Sequence, residues 1–338
     1  MVVQHNREPP AEAVPYARCV LCPRQCGVNR AGGERGYCGE TGELRLASAS
    51  IHRGEEPPLV GRGGSGTVFV SGCNLGCVFC QNRQISRGPP GRTLGRVVGE
   101  AEFAGIVLAL QERGAENINL VTGSHAAPAL AAGIRAARSR GLTLPVLWNS
   151  SAYEGPDTLA LLKDTADVFL PDLKTLDSGI SARYFKAPDY PETAEAAILR
   201  MLEMRELRFS GETLVSGVIV RHLVLPGEPE STREVLRWFA RHARERALLS
   251  LMTQYTPVAP GPERPLNEAE YRRVLDWLEE FGIEEGFFQE LEEGGDTGWF
   301  PDFNRENPFT SQLPTGEGLS TPVWHWKRGF TGRGSHYY

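Results

Sequence analysis

Short apolar runs alternate with longer amphipathic segments between about residues 67 and 282. The runs are rich in β-branched and aromatic residues and stay apolar at successive positions, which is typical of strands buried on both faces of a parallel sheet. A segment with helical spacing of its apolar residues follows each run, and this alternation predicts βαβ units. The six predicted strands cover residues 67–70, 117–121, 145–148, 167–170, 216–224 and 248–252.

The segments between these strands carry the signals of helices. Amphipathic patterns cover residues 96–113, 127–140, 156–164 and 191–206. Two later segments each open with a capping box, in which Ser231 precedes Glu234 and Asn267 precedes Glu270. Six strand-then-helix units with right-handed crossovers predict an α/β fold, either a doubly wound sheet or an incomplete (β/α)6 TIM-like barrel.

Three segments flank the predicted α/β body, which spans residues 61–291. Residues 1–15 are expected to be disordered, and residues 16–60 form a cysteine-rich segment that predicts metal binding. Residues 292–338 are rich in Gly, Pro and Asn and lack periodicity, so we expect an irregular extension that ends in a loose tail. Part of the extension is expected to pack against the body through its aromatic residues, Trp299, Phe300, Phe303 and Phe309.

The overall composition is that of an ordinary globular protein, with 41% hydrophobic and 23% charged residues. No apolar stretch approaches the length needed to cross a bilayer, and the first residues lack the features of a signal peptide. We therefore expect a cytoplasmic protein that does not bind membranes. The formal net charge of -6 argues against nucleic acid as the main partner, because neutralising phosphates normally needs a basic surface.

All seven cysteines lie before residue 81, in two groups. Such crowding in a chain expected to be intracellular favours metal ligation over disulfides. Cys73, Cys77 and Cys80 follow the first predicted strand, so they are expected at the carboxyl ends of the strands, where parallel α/β folds gather their active sites. Structural zinc usually takes four closed protein ligands, whereas three thiolates suit a [4Fe–4S] cluster that keeps one iron open.

The spacing of these three cysteines, with Phe79 directly before the last, resembles the cluster loop of the radical S-adenosylmethionine superfamily. The segments NLVTGSHAAP, LPVLWNSSAYE, LPDLKTLD and VIVRHLVLPGE are similar, in order, to homologues of pyruvate formate-lyase activating enzyme, and the similarity spans roughly residues 16–290. The resemblance favours the incomplete (β/α)6 barrel. It implies a [4Fe–4S] cluster that chelates S-adenosylmethionine and donates one electron, which releases a 5′-deoxyadenosyl radical.

The resemblance also implies which residues bind the cofactor. Phe79 belongs to the cluster loop, and Thr122, Gly123 and Ser124 occupy the position where activating enzymes usually carry a Gly-Gly-Glu segment that receives the methionyl ammonium group. Because the glutamate is missing here, the ammonium group is expected to bind backbone carbonyls or the Ser124 hydroxyl. His125 is interpreted either as a substrate-facing base or as a helix cap.

Short polar side chains follow the next two strands. Asn149 and Ser151 are candidates for contacts with the cofactor's carboxylate or ribose. Asp172 and Lys174 match a segment that lies beside the cofactor in activating enzymes. Lys174 is expected to pair with the carboxylate, and Asp172 to bind the ribose diol or, with Asn149, a monovalent cation. The alternative is an ordinary Asp–Lys surface pair.

Arg221 and His222 interrupt the apolar run of the fifth strand. Buried arginine is rare without a partner, and its fork suits a carboxylate. Arg221 is therefore a candidate for the methionyl carboxylate, and His222 for the ribose or the carboxylate. Because neighbouring residues on a strand face opposite sides, one of the two is expected to point away.

The first group of cysteines, Cys19, Cys22, Cys26 and Cys38, is large enough for a closed tetrathiolate site. Zinc would stabilise a segment that has little core of its own. A second [4Fe–4S] cluster would also accept four cysteines and would relay electrons. Both metals remain open, although the small, glycine-rich segment favours zinc.

Two activities fit this site. The first is an activase that installs a glycyl radical on a partner enzyme, and the second is a radical enzyme that modifies a small molecule or a peptide, with the C-terminal extension as a lid. A non-catalytic iron–sulfur or zinc protein is the third alternative, and the polar residues at the strand ends argue against it. Either activity needs an electron donor such as flavodoxin or ferredoxin.

Overall fold

The computed structural model describes residues 14–87, 93–291, 300–310 and 318–331. The start predicted to be disordered, residues 1–15, lies almost entirely outside these ranges. Parts of the predicted extension, with Trp299, lie outside them as well. None of the helices in the described ranges combines the length and the apolar character needed to span a membrane.

Within the described ranges the chain forms twelve strands of one sheet. They are β1 (Arg45–His52), β2 (Ser65–Val70), β3 (Arg96–Val97), β4 (Asn117–Val121), β5 (Val146–Ser150), β6 (Val168–Pro171), β7 (Arg208–Ser210), β8 (Thr213–Leu223), β9 (Leu248–Met252), β10 (Gly286–Phe288), β11 (Ser320–His325) and β12 (Gly329–Phe330). The order across the sheet is β10-β9-β8-β6-β5-β4-β2-β1-β11-β12, with β3 beside β1 and β7 beside β8.

The centre of the sheet is parallel and follows the chain without reversing. Strands β2, β4, β5, β6, β8 and β9 pair in that order, and the short β10 adds a further parallel strand. A doubly wound sheet would reverse its strand order at a switch point, whereas a barrel adds strands in sequence. The edges β10 and β12 end an open path, so the predicted incomplete (β/α)6 barrel is confirmed.

Strands β1 and β11 extend the sheet beyond β2. Strand β1 lies between β2 and β11 and is antiparallel to both. It comes from the segment predicted only to bind metal, and β11 comes from the extension predicted to be irregular. The sequence signal of β1 is weak because its apolar positions are mostly small and alternate with serines, which carry little strand propensity.

The helices connect the strands. They are α1 (Val14–Ala17), α2 (Pro57–Val60), α3 (Arg83–Ser86), α4 (Glu100–Glu112), α5 (Ala127–Ser139), α6 (Pro156–Leu162), α7 (Ser178–Phe185), α8 (Tyr190–Met204), α9 (Pro229–His242) and α10 (Glu268–Glu280). The predicted helices agree with α4, α5, α6, α8, α9 and α10, while α7 was not predicted. Helix α7 begins with Ser-Gly, which has low helix propensity, so its sequence signal is weak. The Asp177 side chain caps the helix by accepting a hydrogen bond from the Ile180 N–H.

The two predicted capping boxes have different outcomes. At α10 both hydrogen bonds are present: the Asn267 side chain accepts from the Glu270 N–H at 2.9 Å, and Glu270 accepts from the Asn267 N–H at 3.1 Å. The box predicted at Ser231 is wrong because α9 begins at Pro229, whose fixed φ suits the first helical position. The Ser231 hydroxyl instead shares a hydrogen bond with Thr175.

Aromatic residues of the C-terminal extension pack on the barrel, as predicted. Phe303 and Phe309 form a small core with Phe69 of β2, with ring centroids 5.2 and 5.6 Å from that of Phe69. Phe309 also contacts the ring of His52 at the end of β1. Burying an aromatic side chain of this size contributes about 2 kcal/mol, so these contacts fix the extension against strands β1 and β2.

The capping box of α10 gives a first prediction. Replacing Asn267 with Ala removes the acceptor for the Glu270 N–H and should lower the free energy of unfolding by about 1 kcal/mol. Urea denaturation followed by circular dichroism measures this change. Asp276→Ala, an exposed position in the same helix, is the matched control, and an equal loss in both variants would contradict a role for the cap.

Candidate functional site

A cavity of about 620 Å3 opens where the parallel strands end. Its wall takes residues from the loops after β2, β4, β5, β6 and β9 and from the end of β8. Seven of the predicted cofactor-binding residues line it together with all three cysteines of the second group: Phe79, Thr122, Asn149, Ser151, Asp172, Lys174 and Arg221. Gly123, Ser124 and His222 are not part of this lining.

The cysteine loop, residues 73–80, follows β2 and has no regular secondary structure. The chain enters it through Gly72, whose φ of 89° favours glycine. A Cβ atom there would lie 2.8 Å from the His125 ring and 3.1 Å from the Cys38 carbonyl oxygen. Gly72 therefore allows a close approach of the loop to the N-terminal segment.

Neighbouring elements satisfy the backbone of this loop. The N–H groups of Gly76 and Val78 donate to the carbonyls of Phe185 and Tyr184, at 3.1 and 2.8 Å. The Asn74 side chain donates to the Tyr153 carbonyl at 2.6 Å. Because buried polar groups need partners, these bonds hold an irregular loop in one conformation.

Phe79 anchors the loop through aromatic contacts. Its ring centroid lies 5.8 Å from those of Tyr184 and Phe185 and 5.4 Å from that of Tyr255. These rings come from α7 and from the loop after β9, and they meet Phe79 edge to face, a favourable aromatic geometry. Phe79 thus positions Cys77 and Cys80 on either side of it.

Asp172 and Lys174 form a partly buried ion pair on the cavity wall. The Lys174 ammonium lies 2.6 Å from the Asp172 carboxylate. Burial alone would lower the pKa of Lys174, but Asp172 and Cys77 raise it well above its usual range. The Tyr190 hydroxyl accepts from the Lys174 N–H and donates to the Asp172 carbonyl. The pair therefore stands on a rigid turn beside the cysteine loop and is not an ordinary surface pair.

Arg221 is paired with two glutamates inside the barrel. Its Nε donates to Glu56 at 2.8 Å, and its Nη2 contacts both Glu56 and Glu55, the latter at 2.6 Å. Asn119 also donates to Glu55, at 2.9 Å. Burial alone would raise the pKa of Glu56, but Arg221 lies so close that the pKa is lowered. The carboxylates that Arg221 holds in the structure are the protein's own.

The loop after β4 departs from the predicted roles. Thr122 lines the cavity with a φ of 61°, a conformation that costs a non-glycine residue roughly 1–2 kcal/mol. Gly123 packs against Trp148 and Leu130, where a side chain would not fit. Ser124 is buried and donates to Glu154 at 2.7 Å, so its hydroxyl points away from the cavity that was expected to receive the ammonium group.

Glu154 is a buried acid that the sequence analysis did not single out. One oxygen accepts from Ser124 and from the Trp148 indole at 3.3 Å, while the other has no hydrogen-bond partner among the described residues. Burial raises the pKa of this carboxyl group. No spacing rule connects Glu154 to Ser124, so nothing in the sequence indicated this pair.

His222 and His125 have structural partners. The His222 ring lies between the Leu173 carbonyl and the Thr232 hydroxyl, at 2.7 and 3.0 Å, and joins β8 to α9. The His125 ring lies 2.7 Å from the Ser71 carbonyl. Burial lowers the pKa to about 4 for His222 and about 3 for His125. Neither ring faces the cavity, so the expectations of a ribose ligand and of a substrate-facing base do not match the structure.

Two groups near the cavity have unused hydrogen-bonding capacity. Ser151 lines the cavity, and its buried hydroxyl has no partner among the described residues. The side-chain amide oxygen of Asn119, inside the barrel beside Glu55, is likewise buried and has no hydrogen-bond partner among the described residues. Buried polar atoms of this kind are costly unless a ligand or water satisfies them. Ser151 thus remains a suitable ligand contact.

The C-terminal extension contributes to the cavity wall. Its residues Pro301 and Phe309 line the cavity together with Gln289 and Leu291, which follow β10 in the barrel body. Phe309 packs there on His52 of β1 and Phe69 of β2. Later in the extension, β11 pairs with β1.

The N-terminal cysteines lie outside this cavity. Cys19, Cys22 and Cys38 are buried and Cys26 is partly exposed. Across the described residues, no group of three or more His, Cys, Asp or Glu side chains is arranged as it stands to hold a metal ion. A metal at these four cysteines stays a prediction.

The barrel is open, and three thiols line a cavity at the carboxyl ends of its strands. This combination is typical of partial α/β barrel enzymes that bind a metal centre through cysteines. A sequence model described as the Radical SAM superfamily matches residues 67–239, slightly more than half of the chain. The chain therefore belongs to the radical SAM superfamily. Membership implies a [4Fe–4S] cluster and S-adenosylmethionine as cofactors.

Similar proteins include an uncharacterized protein of Methanocaldococcus jannaschii, MJ0674, which is 29% identical over 277 residues that cover 80% of this chain and 76% of that protein. Streptococcus suis SuiB bound to S-adenosylmethionine has a TM-score of 0.45 at 14% identity, over 65% of this chain and 45% of that chain. QueE from Escherichia coli has a TM-score of 0.39 at 12% identity, over 75% of this chain and 97% of that chain. The chain spans less than half the length of SuiB.

The donor set fits an iron–sulfur cluster. Three thiols line one cavity, and their hydrogen bonds are weak contacts with the Leu75 N–H and the Ser86 hydroxyl. Burial raises the pKa of Cys77 to about 12, so the thiol keeps its proton at neutral pH until a metal displaces it. The thiolates of a cubane bind different irons and need not converge on one point.

The ion pair of Arg221 yields a second prediction. Arg221→Met leaves Glu55 and Glu56 buried without a cation, which should lower the free energy of unfolding by about 3–5 kcal/mol. Adding Glu56→Gln to this variant should restore part of the loss. Guanidinium denaturation measures both. Unchanged stability of the single variant, together with weaker S-adenosylmethionine binding, would instead favour the role predicted from sequence.

The raised pKa of Glu154 predicts a pH dependence of stability. The folded state keeps the proton at pH values where the unfolded carboxyl group, with a pKa near 4.5, has lost it, so stability falls as pH rises from that value through the folded pKa. Glu154→Gln should flatten this slope, measured as unfolding free energy against pH. Glu203→Gln, on the exposed surface, is the control and should leave the slope unchanged. A wild-type slope in Glu154→Gln would contradict the assignment.

Proposed function

We propose that this protein cleaves S-adenosylmethionine reductively at a [4Fe–4S] cluster held by Cys73, Cys77 and Cys80, and that it abstracts a hydrogen atom from a small substrate bound in the same cavity. The observation that carries the proposal is the placement of these three thiols on the wall of the 620 Å3 cavity. Family membership supports the chemistry, since the cluster supplies the electron that splits the cofactor.

The residues around the cysteines have separate roles in this proposal. The protein orients the cofactor and excludes water, while the cluster supplies the electron. Asp172 and Lys174 present a carboxylate and an ammonium group beside the cysteine loop, which suits the polar head group of an amino acid. Ser151 and Asn149 offer hydrogen bonds from the neighbouring strand, and Ser151 has one to spare. Thr122 keeps the loop after β4 close to these groups.

The contribution of the C-terminal extension to the cavity supports a small substrate. Pro301 and Phe309 of this extension line the cavity wall. A cavity of this volume lies within the range of about 300–1,000 Å3 typical of small-molecule and cofactor sites. A peptide loop from a partner enzyme would have to displace the packing of Phe309 on Phe69 and His52.

An activase for a glycyl radical enzyme is the second candidate. The sequence similarity to activating-enzyme homologues, over segments such as LPDLKTLD, favours it. The two activities differ in the size of the substrate, so fractionation of an extract by mass distinguishes them. Release of 5′-deoxyadenosine that is stimulated by the low-mass fraction of an anaerobic cell extract supports the small-molecule enzyme, and stimulation by the protein fraction alone supports the activase.

The central test is anaerobic reconstitution with iron and sulfide, followed by dithionite and S-adenosylmethionine. The wild-type protein should release 5′-deoxyadenosine and methionine, measured by liquid chromatography. Cys77→Ser should reduce this release to the protein-free background because it removes one of three ligands. Val78→Ala, in the same loop but without a ligand atom, should keep most of it, and undiminished release from Cys77→Ser would refute the cluster assignment.

A further inference from the structure

The four N-terminal cysteines come from one short segment that folds back on itself. After Cys22 the backbone reverses through Gln25 and Gly27, whose N–H groups donate to the carbonyls of Cys22 and Cys19 at 3.0 and 2.9 Å. Cys38 returns to the same place: a Cβ atom on Gly36 would lie 3.2 Å from the Cys26 sulfur and 3.4 Å from the Cys38 sulfur. The sulfurs of Cys26 and Cys38 therefore lie on the same side of Gly36.

Arg30 brings a buried positive charge to these sulfurs. Its guanidinium contacts the Cys19 sulfur at 3.7 Å, and its other hydrogen bonds go to the carbonyl oxygens of Glu40, Thr41 and His125. Among the described residues no carboxylate lies within ion-pair distance of it. A buried cation is costly without an anion, and thiolates bound to a metal would supply the missing negative charge.

Several hydrogen bonds fix the N-terminal segment to the barrel. Arg24 donates to the Asn74 and Lys186 carbonyls at 2.8 and 2.6 Å, Arg30 donates to the His125 carbonyl at 2.8 Å, and Thr158 donates to the Leu21 carbonyl at 2.8 Å. A structural zinc ion normally replaces core contacts that a small segment lacks. Because these contacts exist, a purely structural ion would add little here.

A direct hydrogen bond joins the two groups of cysteines. The Cys73 N–H donates to the Cys38 carbonyl at 3.3 Å, next to Gly72, where the two backbones approach closely. A ligand of the first group is therefore connected to a ligand of the second through one hydrogen bond and two cysteine backbones. The first group also reaches the surface, since Cys26 is partly exposed and Val20, the neighbour of Cys19 in sequence, is exposed to solvent.

We propose that Cys19, Cys22, Cys26 and Cys38 hold a second iron–sulfur cluster, which receives electrons at the surface and passes them through the Cys38–Cys73 contact to the three-cysteine centre. One electron leaves a reduced flavodoxin or ferredoxin, crosses both centres, and enters the C5′–S bond of S-adenosylmethionine, which breaks into methionine and the 5′-deoxyadenosyl radical. The electron path rests on the proposed function, whereas the presence of the second cluster does not. It replaces the interpretation of this segment as a zinc site.

Metal analysis of the full-length protein, reconstituted without oxygen, tests the site directly. Two cubane clusters require about eight irons per chain and no zinc. Cys26→Ser, at the least buried of the four positions, and Cys38→Ser, which keeps the backbone carbonyl, should each retain about four irons. Val20→Ala, in the same segment, is the control and should keep all eight. A wild-type chain with about four irons and one zinc overturns the proposal without any variant.

The relay is tested by supplying electrons in two ways. With dithionite, which is small enough to reach the three-cysteine centre itself, Cys26→Ser should still release 5′-deoxyadenosine. With reduced flavodoxin, release by this variant should fall by at least an order of magnitude relative to Val20→Ala. Equal rates in the two variants with flavodoxin overturn the relay. Absence of product from the wild-type protein with either donor counts against the proposed function, while the iron count still decides on the second cluster.

Discussion

The site depends on how the irregular loop from Cys73 to Cys80 is held. This loop has no helix or strand to satisfy its backbone, so its N–H groups bond to the end of α7 and its entrance bonds to the N-terminal segment. An irregular loop under a cavity is stable only when its polar groups find such partners. The barrel therefore provides the base of the site, and α7 and the N-terminal segment determine where the three sulfurs lie.

A second constraint acts inside the barrel. Arg221 and its two glutamates form a polar group among the parallel strands, with Asn119 completing the partners of Glu55. A buried pair of this kind adds little net stability, but loss of one partner is costly. The arrangement leaves one negative charge in excess, which borders the cavity at Glu55. The electrostatic field at this end of the cavity thus favours positively charged groups, such as a sulfonium or an ammonium.

The fold was largely predictable from sequence, because short apolar runs such as 145–148 alternate with amphipathic segments, a pattern typical of βαβ units. The strand ends and the cysteine loop were equally predictable. The hydrogen-bond and ion-pair partners of the site residues were not predictable from sequence. Arg221 was expected to bind a ligand, but its partner Glu56 lies 165 positions away, and no local pattern connects them. Ser124 was expected to face the cavity, but it pairs with Glu154. The pattern of β1 was weak because alanines and serines occupy its central positions.

The contribution of the C-terminal extension to the cavity wall has a consequence for turnover. A carbon radical formed in the cavity would share that space with Pro301 and Phe309, which belong to the chain's own wall. The residues of this wall must therefore not react with the radical. Bulky aromatic and proline side chains suit this requirement, because they shield the backbone behind them from a radical that has not reacted with its substrate.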